Sequence, residues 1–496
     1  MELRDYQKET IYHLMHSELA KECVCLPTGS GKTFVFSTFS ALQAKEGKRI
    51  LILVNRKELL DQTFQAIKNR YGYLPCLITS KSKNFSENNI YIGMVETVYR
   101  RKKVLEELRK SIDICIVDEC HILQFIKVVE GFKRIVGFSA TPLITKKDQS
   151  LANYYHNLYT PLQVSELIEN KYLCPPELYS PPQTLEIDRS KIKKMAGEYD
   201  EKSMTALLSQ DSFTKAVVKY AHKYCKNKRA IIYNASIDHS ELITNLLRNE
   251  GFEAYHVDGT TPENERQYIL ERLKEKPCII SNVGVLTFGF DCPEVEVVFL
   301  NRLTKSLSLY LQMCGRGART STKIDKKLFY ILDICGNWAE HGRWQDDRDW
   351  ETLFHQSKKG EGDGLAPLKL CPQCDTVVAA QAKKCFKCGY EFKAKESRKE
   401  EKEIELINID TAVLKLDGIM DAVNTKGQNI YRGLHLLKEQ VYKANKKADL
   451  ISLQQGLLSL LPEWCKSTGK RNNQWNKDFC CKIMEEYVNE KRGQVC

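Results

Sequence analysis

Short apolar runs recur along the chain, each followed by a turn and a longer amphipathic stretch. Cys23-Val24-Cys25, Arg49-Ile50-Leu51-Ile52-Leu53-Val54, Ile112-Asp113-Ile114-Cys115-Ile116-Val117 and Arg134-Ile135-Val136-Gly137-Phe138 are short runs that are mostly apolar. Strands that are apolar on both sides belong in the middle of parallel sheets covered by helices. The rhythm resumes with Ala230-Ile231-Ile232-Tyr233-Asn234, Ala254-Tyr255-His256-Val257-Asp258-Gly259, Cys278-Ile279-Ile280-Ser281-Asn282 and Val295-Glu296-Val297-Val298-Phe299-Leu300. Strands alternating with helical stretches of ten to fifteen residues predict α/β architecture, here twice over.

The breaks in the pattern predict the division of the chain. Residues 1–148 form a first parallel-sheet domain and residues 212–356 a second. Between them, residues 149–211 hold Pro175-Pro176, Pro181-Pro182 and the basic Lys191-Ile192-Lys193-Lys194, and are expected to be a connector. Residues 357–395 combine a glycine-rich linker with paired cysteines. Residues 396–496 open with mixed charge and continue with helical periodicity around Leu434, Val441 and Leu450–Leu461, predicting a small helical domain.

Candidate chemistry sits where predicted strands end. After Cys25 comes Leu26-Pro27-Thr28-Gly29-Ser30-Gly31-Lys32-Thr33, leading into a helix. A glycine turn between strand and helix presents backbone N–H groups and a positive helix end to a polyphosphate. Thr28, Gly29, Ser30 and Gly31 would cradle it, Lys32 would reach the outer phosphates and Thr33 would help hold Mg²⁺. The strict phosphate-loop pattern has glycine where this chain has Leu26. The next strands deliver Arg56, then Asp118-Glu119-Cys120-His121, then Ser139-Ala140-Thr141-Pro142 to the same sheet edge. Two adjacent carboxylates there can divide labour between a metal and an attacking water. In the second domain, Gln312, Arg316 and Arg319 fall at i, i+4 and i+7, so a continuous helix would place them on one face. Guanidinium groups on such a face suit a developing phosphate charge.

Composition narrows the setting. The charge of +11 favours an acidic polymer as partner. Nineteen cysteines scattered through apolar runs, with no signal-peptide pattern, point to a reducing cytoplasm. No run approaches the roughly 20 apolar residues of a membrane span. Four of the cysteines, Cys371, Cys374, Cys385 and Cys388, form two C-x-x-C pairs suited to a closed, structural Zn²⁺ site in a zinc ribbon.

Taken together, Gln7, T-G-S-G-K-T, V-D-E-C-H, S-A-T-P and Q-x-x-G-R-x-x-R resemble the ordered motifs of superfamily 2 helicases, in a DEAH-like branch with cysteine in the third box position. The resemblance implies two RecA-like motor domains. It also implies adenine recognition by Gln7 with Arg4 beside it, Mg²⁺ coordination by Asp118, and water activation by Glu119. His121, Ser139 and Thr141 would couple nucleotide state to the second domain. Thr287 resembles a residue that meets the nucleic-acid backbone, as does Thr97, while Gly289 and Asp291 would lie near the nucleotide. Backbone grip by Arg56, Thr97 and Thr287 would be largely indifferent to sequence.

The order of domains, the D-E-C-H box and the cysteine pairs further resemble RadD-like DNA repair helicases of bacteria and their phages. That resemblance implies DNA, single-stranded or branched, as substrate, a single-strand-binding protein as a partner, and a bacterial or phage-infected cytoplasm. The rival readings are an ATP-dependent RNA helicase and, in another class, a nucleic-acid-binding scaffold with a weak motor. Against the scaffold, Lys32, Asp118, Glu119, Gln312, Arg316 and Arg319 are all present.

Overall fold

The computed structural model describes residues 3–79, 88–122, 125–144, 149–181, 192–195, 198–287, 290–356, 368–370, 377–379 and 404–409, with separate positions between 434 and 488. The strands of the first half are β1 (Lys21–Cys25), β2 (Ile50–Val54), β3 (Cys76–Ile78), β4 (Ile90–Met94), β5 (Ile114–Asp118), β6 (Arg134–Ser139) and β7 (Asn157–Tyr159). They build a seven-stranded sheet in the order β3-β4-β2-β5-β6-β1-β7, every pair parallel. All five residues of β2 and of β5 are buried, as strands covered on both faces require.

The second sheet follows the same logic. Its strands are β8 (Pro176–Ser180), then, after a small hairpin of β9 (Lys194–Met195) and β10 (Glu198–Tyr199), β11 (Ala230–Asn234), β12 (Ala254–Val257), β13 (Ile279–Asn282), β14 (Val297–Asn301) and β15 (Phe329–Leu332). A short pair, β16 (Leu368–Leu370) and β17 (Val377–Ala379), precedes β18 (Ile407–Asn408). The order is β12-β13-β11-β14-β15-β8-β18, with β18 antiparallel to β8.

The segment expected to be only a connector therefore contributes to both sheets. β7 extends the first beside β1, and β8 extends the second beside β15. Pro176 stands at the first position of β8, where a missing N–H is tolerated. The charged stretch after residue 396 likewise yields β18, and the flanking Ile404 and Ile409 are buried. The tail positions described gather Leu434, Leu437, Leu453, Leu457, Trp464, Ile483 and Met484 into one apolar cluster. Cys371, Cys374, Cys385, Cys388 and Gly289 lie outside the described residues, as does Lys191. Among the described residues no helix is long and apolar enough to cross a membrane.

Candidate nucleotide site between the two sheets

Register explains why the first domain's motifs meet. Cys25 at the end of β1 pairs with Ser139 of β6, and Phe138 of β6 pairs with Asp118 at the end of β5. Because β5, β6 and β1 are neighbours, the loops after them open side by side at one edge.

The phosphate loop is held from below. The Tyr6 hydroxyl and Gln7 Nε2 both donate to the Ser30 carbonyl, at 2.5 and 2.9 Å. Gln7 Oε1 accepts from the Arg4 N–H at 3.0 Å. Gln7 is thus largely occupied with the helix start and the loop, and retains one amide hydrogen for a ligand. Gly29 and Gly31 sit at φ of +86° and +83°, where a side chain is strained. A Cβ on Gly31 would come within 2.8 Å of Gln7 Nε2.

Lys32 opens the following helix, Lys32–Lys45, and places Nζ 3.5 Å from Glu119 Oε1. Burial, and after it the Glu119 charge, pushes the Asp118 carboxyl up to about 7. A carboxylate in that situation calls for a cation, so Asp118 fits Mg²⁺. Burial acts to raise Glu119 as well, but Lys32, and then His121, holds it below the usual carboxylate range. The Arg316 charge adds to that effect from the other domain.

The predicted face of Gln312, Arg316 and Arg319 is not realised as one helix. The helix Leu307–Gly315 ends before both arginines, with Arg316 as its cap in the right-handed region. A Cβ on Gly317 would collide with the Phe329 ring, so the chain turns there against packed aromatic surface. Arg316 is buried and donates to the carbonyls of Phe290 and Thr287. Arg319 pairs with Asp291. Both amide atoms of Gln312 are buried without a partner, as is Ser30 Oγ. Buried polar atoms left unpaired in this way favour a ligand that pairs them.

The two domains close on each other at this point. A Cβ on Gly29 would lie 3.7 Å from Arg319 Cγ, and one on Gly315 would lie 2.9 Å from Thr28 Cγ2. The phosphate loop and the arginine turn are therefore in contact. His121 Nδ1 lies 2.8 Å from Ser139 Oγ, and its Nε2 lies 3.3 Å from Ser308 Oγ of the second domain. Ser308 Oγ is also 2.6 Å from Thr141 Oγ1. Sequence reading missed Ser308, one helical turn before Gln312; only the closed arrangement of the domains reveals it.

The expected backbone-gripping residues are placed differently. Arg56 donates to the carbonyls of Val285 and Gly284 across the cleft, at 3.2 and 3.3 Å. Thr287 is buried, with its carbonyl taken by Arg316, so its side chain is not presented at the surface. Thr97 is half-buried in the helix Val95–Arg100. Among the described residues no group of three or more His, Cys, Asp or Glu could hold a metal ion.

Comparison with known families agrees with this geometry. Residues 1–144 match the model of the type III restriction enzyme res subunit, and residues 214–321 match the helicase conserved C-terminal domain. The chain belongs to the superfamily 2 helicases. It is 32% identical over 402 residues to a 51.5 kDa protein of a Lactococcus phage, covering 79% of this chain and 83% of that one. It is 26% identical over 361 residues to IRC3 of Saccharomyces cerevisiae, provisionally described as an ATP-dependent helicase, covering 67% of this chain and 51% of that one. It is 22% identical over 352 residues to the ATP-dependent DNA helicase uvsW of phage T4, covering 67% and 68%. This superfamily 2 chain thus spans most of the phage protein and about half of IRC3. Its two parallel-sheet domains are those of an ATP-hydrolysing motor.

Proposed function

We propose that ATP binds where the phosphate loop faces the arginine turn and that its hydrolysis drives movement along DNA. The observation that carries this reading is the approach of Arg319 to Gly29, together with the unpaired, buried amide of Gln312. Arg4 and Gln7 take the adenine end. The N–H groups of Thr28 to Gly31 and the Lys32 ammonium take the phosphates. Thr33 and Asp118 hold Mg²⁺, which screens phosphate charge when bound. Glu119, kept ionised by Lys32, accepts the proton of the attacking water. Gln312 orients that water, and Arg316 and Arg319 meet the charge that develops on the outer phosphate. Asp291, the partner of Arg319 in this state, releases it as phosphate takes over. His121, Ser139 and Thr141 pass the change to the second domain, and opening and closing step the pair along a strand.

DNA as the track is supported by the charge of +11, by the restriction-enzyme family matched in the first domain and by the DNA helicase uvsW among its relatives. With Arg56 engaged across the cleft and Thr287 buried within the second domain, Thr97 is the residue of the three left to meet the backbone. A role in repair or recombination, the RadD-like affiliation and a single-strand-binding partner rest on domain order and on the cysteine pairs. Those cysteines, by spacing, would bind structural Zn²⁺, which metal analysis of the purified protein checks. The deciding experiment compares ATP hydrolysis with single-stranded DNA, duplex DNA and RNA over a salt series. Stimulation by DNA that weakens steeply with salt is expected; stimulation by RNA alone would replace DNA by RNA, and no stimulation by either would favour the scaffold.

A further inference from the structure

Three consecutive residues, Tyr172, Leu173 and Cys174, reach the base end, the phosphate loop and the arginine turn of the proposed ATP site from the segment that crosses between the sheets. At the base end, the Arg4 guanidinium lies 4.4 Å from the centre of the Tyr172 ring, and Tyr172 lies 5.8 Å from the Tyr6 ring. Tyr6 in turn holds the Ser30 carbonyl of the phosphate loop. At the phosphate end, Leu173 is buried, and a Cβ on Gly29 would meet its Cδ2 at 2.9 Å. Leucine, phosphate loop and the Arg319 stem therefore pack as one contact.

The same residues fasten the arginine turn. Leu173 forms an antiparallel bridge with Arg319, and the Cys174 N–H donates to the Ala318 carbonyl at 2.7 Å. The Arg319 carbonyl also receives the Lys326 ammonium at 2.8 Å and the Cys174 thiol at 3.7 Å. Lys326 carries a second bond, to the Pro293 carbonyl at 2.9 Å, and so ties in the loop that bears Asp291. Beyond Gly315 the helix loosens into three-residue turns, with the N–H groups of Arg316, Gly317 and Ala318 donating to the Met313, Cys314 and Gly315 carbonyls, and this bonding ends one residue short of Arg319. Long side chains on turns are costly to immobilise, and misplacing a catalytic group by about 1 Å can cost about 10²-fold in rate.

We propose that Leu173 is a positioning residue for Arg319: the Tyr172–Cys174 strip, seated between the base end and the phosphate loop, sets the guanidinium over the outer phosphates. The proposal rests on the reading of Arg319 as a group that meets phosphate. It predicts that loss of the leucine slows turnover rather than weakening nucleotide binding, because Leu173 touches the turn and the loop but offers ATP no polar group.

The test is steady-state ATP hydrolysis, with the most stimulating nucleic acid at saturation, by Leu173→Ala, Leu173→Met, Arg319→Ala and the Leu173→Ala, Arg319→Ala double variant. For Leu173→Ala, kcat should fall about tenfold with the KM for ATP within about twofold, and Leu173→Met, which refills the space, should recover most of it. The double variant should be no slower than Arg319→Ala alone, since the leucine acts through the arginine. Wild-type kcat in Leu173→Ala, a rise in KM that accounts for the loss, or a double variant showing the product of the two single losses would each overturn the proposal. Wild-type turnover by Arg319→Ala would instead remove the role of Arg319, a result distinct from failure of the leucine alone.

Discussion

The Thr141 and Ser308 hydroxyls lie 2.6 Å apart, and they belong to different domains. Ser308 also approaches His121, which bonds to Ser139, so a continuous hydroxyl and imidazole chain runs from the carboxylate box across the cleft and back. Buried networks of this kind respond as a unit when one member is removed. Ser308→Ala should lower nucleic-acid-stimulated ATP turnover about tenfold with an ATP KM within about twofold. Phosphate-release assays at saturating nucleic acid measure this, and an unchanged stimulated rate would show that the contact plays no part in coupling.

Much of this arrangement was legible because the motor's strands are buried on both faces, and residues such as Ile50–Val54 can adopt few other roles. The loops at their carboxyl ends carried the chemistry, so Lys32, Asp118 and Glu119 could be placed together before the fold was seen. What escaped was set by tertiary contact. β7, β8 and β18 are short and lie in stretches with no apolar period, yet the sheet edges recruit them. Arg56 has the position of a surface cation, but its partners are carbonyls 228 and 229 residues away. The end of the helix at Gly315 did have a local signal, since glycines at 315 and 317 are poor helix formers.

Lys32 and Glu119 are 3.5 Å apart, yet their losses should differ. Glu119→Gln keeps a hydrogen-bonding group of the same shape and removes only the base, so ATP should still bind while hydrolysis falls by about 10²- to 10⁴-fold. Lys32→Ala removes the cation proposed to bind phosphate and the largest charge holding Glu119 ionised, so both binding and hydrolysis should be lost. A fluorescent ATP analogue reports the first quantity and phosphate release the second. Equal binding defects in the two variants would contradict the division of roles.

Gly31 and Gly47 make a matched pair for asking what the phosphate loop requires. Both have φ near +80°, but a Cβ on Gly47 meets nothing within 4 Å, whereas one on Gly31 comes within 2.8 Å of Gln7 Nε2. Each alanine substitution incurs the left-handed backbone cost of roughly 1–2 kcal/mol. Only Gly31→Ala also displaces the amide that holds the Ser30 carbonyl at 2.9 Å. ATP KM should rise about tenfold for Gly31→Ala and stay near wild type for Gly47→Ala. Equal effects in the two variants would mean that backbone strain alone matters.

His239 makes the second domain sensitive to acid. Burial lowers its pKa to about 4, against an ordinary value of 6.5. The imidazole is fully enclosed in the first turn of the helix Ile237–Asn249, whose positive end disfavours a further cation. Asn301 Nδ2 lies 3.3 Å from one ring nitrogen and the Ala235 N–H 3.4 Å from the other, donors of which a neutral imidazole accepts one, while a hydrogen bond with the Leu208 backbone works against the shift without cancelling the effect of burial. An unfolded chain takes up the proton below about 6.5, while the folded chain refuses it until about 4, so the unfolded state binds more protons between those values. The stability from neutral His239 is therefore fully present above about 6.5 and is lost as pH falls toward 4. A shift of this size corresponds to about 3 kcal/mol across the window. Urea unfolding followed from pH 7 to pH 4 should show a shallower loss of stability in His239→Gln than in the wild-type chain, whatever the difference between them at pH 7. Parallel pH dependences would mean that His239 is solvated or charged in the folded protein, contrary to its enclosure between Asn301 and Ala235.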